Sequence, residues 1–311
     1  LAKTVLFKAK WRITEMNIWL RNRKITIGSV ILYFSITVLI FICAYPFLNV
    51  IAYSLSGYNA VLTGRVTFYP IDFTLSAYRQ ILGRTQIWIS MRTTVLVTLM
   101  GTATSLVLTI FAAYALSRNN LPGKGLFTGL ILFTMYFNGG IIPTFLVVKG
   151  LGLFDTLGAL FIPQAINVFN FIVMRTFFRE LPKSLEEAAK IDGASELQIL
   201  IKVVLPLSLP IIATISLFYA VGYWNSYFDA LLYIQDHNKY TLQLRLRNLL
   251  LGEELNSSGI TGTNLEGIGT EVMSQSLKMA TVAVSTIPII VVYPWLQKYF
   301  VKGVMIGSIK G

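Results

Sequence analysis

Six stretches of the chain contain no Asp, Glu, Lys or Arg: Ile25–Gly64, Thr93–Ser117, Gly125–Val148, Thr156–Met174, Val203–Phe228 and Met279–Gln297. A bilayer's hydrocarbon core is about 30 Å thick and takes about 20 apolar helical residues to cross, so each stretch predicts a membrane-spanning helix. The first is longer than one span needs and holds Pro46, which places its helix at about Gly28 to Ala52. Between the first two spans, Ser54 to Met91 predicts an outer loop, in which Leu75, Tyr78, Ile81 and Leu82 have the spacing of a short amphipathic helix. Arg118 to Lys124, with its Pro-Gly pair, and Lys149 to Asp155 read as tight turns. Arg175 to Lys202 alternates charges at helical spacing and predicts a cytoplasmic helix, with a start and a capping box at Ser184 and Glu187 after Pro182. Asp236 to Gln275 is an outer excursion, and Glu253 to Thr270, rich in Gly, Ser, Thr and Asn, predicts a mobile segment.

Composition agrees with a membrane protein: 55% of residues are hydrophobic and 13% charged, against about 25% charged in soluble domains. The expected fold is all-α, with about six transmembrane helices and a cytoplasmic helix between the fourth and fifth. No internal repeat divides it, so the domains are a basic cytoplasmic segment 1–26, a transmembrane domain 27–303 (with the segment at about 179–206 facing the cytoplasm) and a cytoplasmic tail 304–311. The net charge of +12 would suggest nucleic acid in a soluble protein; here its distribution sets topology instead. With both termini cytoplasmic, 17 of the 26 Lys/Arg residues fall inside, as the positive-inside rule requires. Residues Lys3 to Lys24 then suit either contact with anionic inner-leaflet lipid or a disordered basic arm. The first apolar run starts after about 25 polar and basic residues and is long enough to span, which argues against a cleaved signal peptide. Cys43 lies inside the first helix, where it is expected to pack rather than to form a disulfide.

Catalytic constellations are missing. His237 is the only histidine, so two-histidine zinc motifs cannot be built within the chain, and no G-x-S-x-G occurs. A phosphate-cradling loop needs Gly-Lys-Ser/Thr at its end, whereas Lys124 is followed by Gly125. No cofactor is expected on this chain, and any ATP hydrolysis must belong to another subunit.

The most informative run is Leu185-Glu186-Glu187-Ala188-Ala189-Lys190-Ile191-Asp192-Gly193-Ala194-Ser195, followed by Val203-Val204-Leu205-Pro206. Two small residues and a glycine let a short helix approach a partner closely and turn where a Cβ would clash. Glu186, Glu187, Lys190 and Asp192 add a charged rim that orients docking. An ordinary amphipathic helix between spans is the plainer alternative. The pattern resembles the coupling motif of binding-protein-dependent ABC importer permeases: Glu-Ala-Ala, three residues, Gly, nine residues, then Ile-x-Leu-Pro, with Val203 in place of Ile. Asn119-Asn120-Leu121-Pro122-Gly123-Lys124, Gly139-Gly140-Ile141-Ile142-Pro143-Thr144, Tyr223-Trp224-Asn225-Ser226-Tyr227-Phe228-Asp229 and the tail from Tyr299 to Gly311 extend the resemblance to the smaller six-helix permease of the carbohydrate-uptake, maltose-type branch. Gly139 to Pro143 looks closest to permeases for complex oligosaccharides, including pectin and alginate types. The resemblance implies a bacterial cytoplasmic-membrane importer made of two unlike permeases, two ATPase subunits that use ATP and Mg, and an extracytoplasmic sugar-binding protein. It assigns ATPase coupling to Glu186, Glu187, Ala188, Ala189, Asp192, Gly193, Ala194, Leu205 and Pro206. A channel or ion-coupled transporter is the alternative of a different class, with a membrane enzyme third.

Polar side chains at membrane depth mark the candidate pathway. Gln164, Asn167 and Asn170, spaced by three, fall on one side of the fourth helix, for substrate or for interhelical hydrogen bonds. Trp224, Asn225, Tyr227 and Asp229 combine aromatic faces with polar groups suited to sugar, and also suit an interfacial aromatic belt. A buried Asp costs about 2.5–3.5 kcal/mol on insertion scales, so Asp229 is expected to face water, the cavity or a cation. Asn138, with Gly139, Gly140 and Pro143, breaks the third helix, as a pore-lining segment or a packing kink would. Lys239, Arg245 and Arg247 are outer cations, placed to steer an anionic sugar or a binding protein, or simply solvated.

Overall fold

The computed structural model describes residues 27–118, 121–257 and 275–308, and every regular element among them is helical. The basic segment 1–26, Asn119-Asn120, most of the expected mobile segment and the last residues of the tail lie outside the described residues. In chain order the elements are α1 (Ile27–Ser54), α2 (Tyr58–Leu62), α3 (Ser76–Leu82), α4 (Thr85–Ser117), α5 (Lys124–Tyr136) and α6 (Ile141–Gly150). There follow α7 (Val168–Glu180), α8 (Lys183–Ile191), α9 (Glu196–Leu207), α10 (Leu209–Asn225), α11 (Phe228–Tyr233), α12 (Leu242–Ser257) and α13 (Gln275–Ser308).

The architecture is organised around α4, which packs on α10 and α7, while α13 lies against α1 and α10. The α4–α10 seam follows from residue size. Gly101, Ser105 and Thr109 recur at four-residue intervals and so form one stripe, into which Tyr223 and Tyr219 fit, their rings stacked 6.4 Å apart. Ser105 shares a hydrogen bond of 2.7 Å with the Tyr223 hydroxyl, and Thr109 one of 2.7 Å with that of Tyr219. Small residues allow such close approach between membrane helices, and each of these two hydroxyl pairs satisfies its own members. Phe171, Met174, Phe178, Ile199, Val204 and Ile215 complete the core beside it.

Of the six expected spans, three are unbroken helices of sufficient length, α1, α4 and α13. The third is split: α5 and α6 meet at 119°, where Asn138 to Gly140 interrupt the helix and Gly140 takes a φ of 91°. The fourth is not a continuous helix. A 3-10 turn at Leu157–Leu160 gives way to irregular chain, and helix begins only at Val168, beyond Pro163 and its missing N–H. The fifth bends by 84° between α9 and α10, at Ser208, where Pro206 and Pro210 flank the break.

Other boundaries differ from expectation too. α4 starts at Thr85 and takes in Arg92, shortening the outer loop, and α12 is helical where outer loop was expected. The α13 helix runs on to Ser308, through the start of the expected tail. Residues Ser76–Leu82 do form the predicted short helix. Ser184 makes no cap: α8 begins at Lys183 after Pro182, and the capping box is at Ser195, whose hydroxyl accepts from the Gln198 N–H while Gln198 reaches back to the Ser195 N–H. Cys43 is exposed on α1 rather than packed, because α1 presents apolar side chains outward over nearly its whole length.

Beyond α6, Asp155 (φ 58°) accepts the N–H groups of Gln235 and Asp236 at 3.1 Å each, and Lys239 Nζ stands 3.1 Å from its carboxylate. The Asp236 N–H first, then Lys239, holds the Asp155 carboxyl below the usual aspartate value. A depressed carboxyl stabilises the fold above its unfolded value and loses that contribution as pH falls through the folded one. An Asp155→Asn chain in detergent should therefore show a constant stability deficit at neutral pH that disappears in acid, as read by melting temperature against pH. Gly101 tests the seam: a Cβ there would come within 2.8 Å of the Tyr223 ring, while nothing lies within 4 Å of one at Gly222. Gly101→Val should destabilise by about 1–3 kcal/mol, and Gly222→Ala should leave the melting temperature equal or higher.

Candidate functional site

The candidate coupling residues sit on α8 and in the turn after it. α8 stops because Gly193 adopts φ 79°, with the Gly193 N–H on the Lys190 carbonyl at 3.0 Å and the Ala194 N–H on that of Ala189 at 2.9 Å. This pair of bonds is a Schellman motif, which a glycine terminates at least strain. Nothing in the chain lies within 4 Å of a Cβ at Gly193, so the glycine is required here by its backbone conformation and not by internal crowding.

The two adjacent glutamates have different surroundings. Glu186, its side chain 12% exposed, is paired with Arg118 at the end of α4. The Arg118 guanidinium lies 4.1 Å above the Tyr114 ring, the Tyr114 hydroxyl donates to Glu196 at 2.9 Å, and Glu196 pairs with Lys190 at 2.7 Å. Glu186 and Lys190, expected on the docking rim, thus belong to a network that fixes α8 to α4 and α9. Glu187, Ala188 and Asp192 remain exposed, beside Ile191, which is 86% exposed, and Leu185. Those two apolar residues were not singled out from sequence, although their positions three residues either side of Ala188 were visible there. Leu205 packs against the core, and Pro206 lies at the bend after a π-helical turn, Leu200–Val204, rather than on the α8 surface. A cleft of about 390 Å³ separates α8 from the ends of α4 and α7, with Arg118, Arg179 and Glu187 in its walls.

The second candidate site is a cavity of about 880 Å³ where the broken helices meet. Asn138, Gln164, Asn167 and Asp229 all line it, together with Thr134, Thr144, Phe169, Phe228 and Tyr233. Gln164 donates to the Asp229 carboxylate at 2.6 Å and Ser226 at 3.0 Å. Asn138 turns its side-chain oxygen to the Gly140 N–H at 2.9 Å. The expectation of a helical polar face at Gln164, Asn167 and Asn170 needs correction: Gln164 is in irregular chain, Asn167 caps α7 by accepting the Asn170 N–H at 3.1 Å, and Asn170 is buried. Trp224 is also buried, its ring N–H directed to the Ser285 carbonyl at 3.3 Å, and neither it, Asn225 nor Tyr227 lines the cavity. Of the outer cations, Lys239 holds Asp155, Arg245 donates to the His237 carbonyl at 2.6 Å, and Arg247 lies 5.6 Å from the centre of the Tyr227 ring.

The family described as binding-protein-dependent transport system inner membrane component matches residues 105–306. The polygalacturonan/rhamnogalacturonan transport system permease protein YtcP of Bacillus subtilis is 49% identical over 87% of this chain and 93% of its own. The trehalose/maltose transport system permease protein MalG of Thermococcus litoralis is 28% identical over 93% of this chain and 99% of its own. A chain of a solved bacterial ABC transporter involved in the import of the acidic polysaccharide alginate superposes with a TM-score of 0.79 at 36% identity, covering 90% of this chain and all of that one.

The unequal glutamates separate experimentally. Glu186→Gln leaves the Arg118 charge without its carboxylate and should destabilise the chain by about 1.5–3 kcal/mol, whereas Glu187→Gln should leave its melting temperature within error of the parent.

Proposed function

The chain belongs to the family of binding-protein-dependent transport system inner membrane components, as a non-catalytic permease subunit of an ABC importer, and we propose that it passes an acidic oligosaccharide into the cell. The observation that carries this reading is the likeness, over most of the chain, to permeases named for uronate polymers, polygalacturonan and alginate. The cavity supports the sugar part of that reading. Amide and hydroxyl groups of Asn138, Gln164, Asn167, Thr134 and Thr144 offer hydrogen bonds to sugar hydroxyls, and Phe169, Phe228 and Tyr233 offer ring faces. Among the described residues its lining holds one carboxylate, Asp229, engaged by Gln164 and Ser226, and no Lys or Arg. This subunit is therefore suited to bind hydroxyls, leaving uronate carboxylates to groups beyond this cavity.

Such a permease works with a second permease, two ATPase subunits and a solute-binding protein. In the proposed arrangement ATP and Mg act on the ATPases, which dock on the exposed Leu185, Glu187, Ala188, Ile191 and Asp192 of α8. Six crossings, with both termini cytoplasmic, would comprise α1, α4, the broken pair α5 and α6, the segment ending in α7, the bent pair α9 and α10, and α13. The concentration of cations at the α8 end supports that orientation.

The test is reconstitution with the partner permease, ATPases and binding protein in liposomes. Binding protein loaded with oligogalacturonate or oligoalginate should stimulate ATP hydrolysis and uptake several-fold; stimulation by neutral maltooligosaccharides alone would overturn the acidic assignment. Gly193 tests coupling in the same vesicles. A β-branched residue at positive φ costs about 1–2 kcal/mol, so Gly193→Val should lower sugar-stimulated hydrolysis, while Gly193→Asn, better suited to that conformation, should retain more of it.

A further inference from the structure

We propose that Lys124, Arg175 and Arg179 form a binding site for the phosphate headgroup of an anionic phospholipid. The proposed orientation enters only in naming the leaflet, the inner one. Arg175 and Arg179 stand one turn apart on the same face of α7, an arrangement in which like charges repel. Lys124 opens α5 beside them, within electrostatic reach of both. Three cations are thus gathered at one corner, where α4 ends, α5 begins and α7 finishes.

The corner is partly explained by α4. Arg175 donates to the Leu116 carbonyl at 2.9 Å and Lys124 Nζ lies 3.5 Å from that of Ser117, so both satisfy carbonyls at the C-terminal end of that helix. A helix terminus carries only about half a negative charge, which falls short of the two guanidinium charges of Arg175 and Arg179. None of the ion pairs among the described residues includes Arg175 or Arg179. The nearby Arg118 and Lys190 differ, each having its own carboxylate.

Two features select a lipid over other anions. Guanidinium groups bind phosphate oxygens through paired N–H donors, and α7 presents two of them. Above Lys124, α5 exposes Leu126, Phe127 and Leu130, each more than half accessible. Phosphate-binding groups at the foot of an apolar wall match a phospholipid, headgroup below and acyl chains alongside. Basic pockets between membrane helices on the cytoplasmic side take anionic headgroups in the same manner. A free phosphate ion would use the cations and ignore the wall.

The assembled transporter, in nanodiscs of phosphatidylcholine with a minor fraction of phosphatidylglycerol, provides the test, with retained lipid counted by native mass spectrometry. The parent should retain phosphatidylglycerol in preference to phosphatidylcholine. Arg179→Gln should weaken that retention about fivefold, the effect of one cation near a headgroup; Arg179→Lys should restore most of it, and Lys149→Gln, at the other end of the chain's hairpin, should change nothing. If Arg179→Gln does not assemble, Lys124→Gln carries the same expectation. Equal retention of the two lipids by the parent, or undiminished retention in the variants, would refute the site. Displacement of phosphatidylglycerol by millimolar inorganic phosphate would reassign it to small anions.

Discussion

A peptide N–H or carbonyl left unpaired in hydrocarbon costs several kcal/mol, and this chain interrupts its helices within three of six apolar stretches. The breaks persist because particular side chains satisfy the freed groups. The Tyr219 hydroxyl accepts the Asn167 N–H at 3.1 Å, and that of Tyr223 donates to the Phe161 carbonyl at 3.4 Å. Asn138 takes up the Gly140 N–H, and Asn167 caps α7. Both tyrosines are in turn positioned by Ser105 and Thr109, so the small-residue stripe of α4 underwrites the irregular segment as well as the helix seam. The irregular backbone that would be forbidden against lipid is thereby placed around a cavity, where polar groups have a use.

The opposite end of α4 meets a different constraint, the placement of charge. Arg118 is paired to Glu186 and lies over the Tyr114 ring, while two of its other guanidinium nitrogens are buried without a partner among the described residues. Removing the carboxylate would leave that charge uncompensated in a partly buried position, which is why the pair holds α8 in place more effectively than a solvated salt bridge would. The division between Glu186 turned inward and Glu187 turned outward lets one helix be anchored to its own chain while keeping an exposed face.

Much of this was legible in the sequence, for identifiable reasons. Absence of charge marks membrane segments whatever their local geometry, so the six stretches could be read, and α1, α3 and the α8 start fell within a few residues of expectation. Apolarity does not encode continuity. Thr156 to Met174 has the composition of a span, yet the hydroxyls that stabilise its irregular form come from Tyr219 and Tyr223, more than fifty residues away, and no local rule announces them. The same limit explains the cavity: Asn138, Gln164 and Asp229 could be selected as costly polar groups, whereas Asn170, of the same type as Asn138, and Trp224 are turned into the core by packing. Around α8, the Gly193 turn followed from residue type, but the pairing of Glu186 with Arg118, 68 positions apart, did not.

The two candidate sites are joined by α4 as well as by the chain that follows α8. Arg118 and Tyr114 hold α8 and α9 at one end of α4, and Thr109, Ser105 and Gly101 meet α10 along the turns above; at a rise of 1.5 Å per residue the interval from Arg118 to Gly101 is about 25 Å. Through Tyr219 and Tyr223 the upper contacts reach Phe161 and Asn167, and Asn167 lines the cavity. A displacement of α8 therefore meets a helix already bonded to the cavity wall, in addition to the bent α9–α10 pair that follows it in sequence. With α4 unbroken and α9–α10 bent by 84°, the long helix is the stiffer of the two connections, and the bend at Ser208 is where relative movement between them would be taken up.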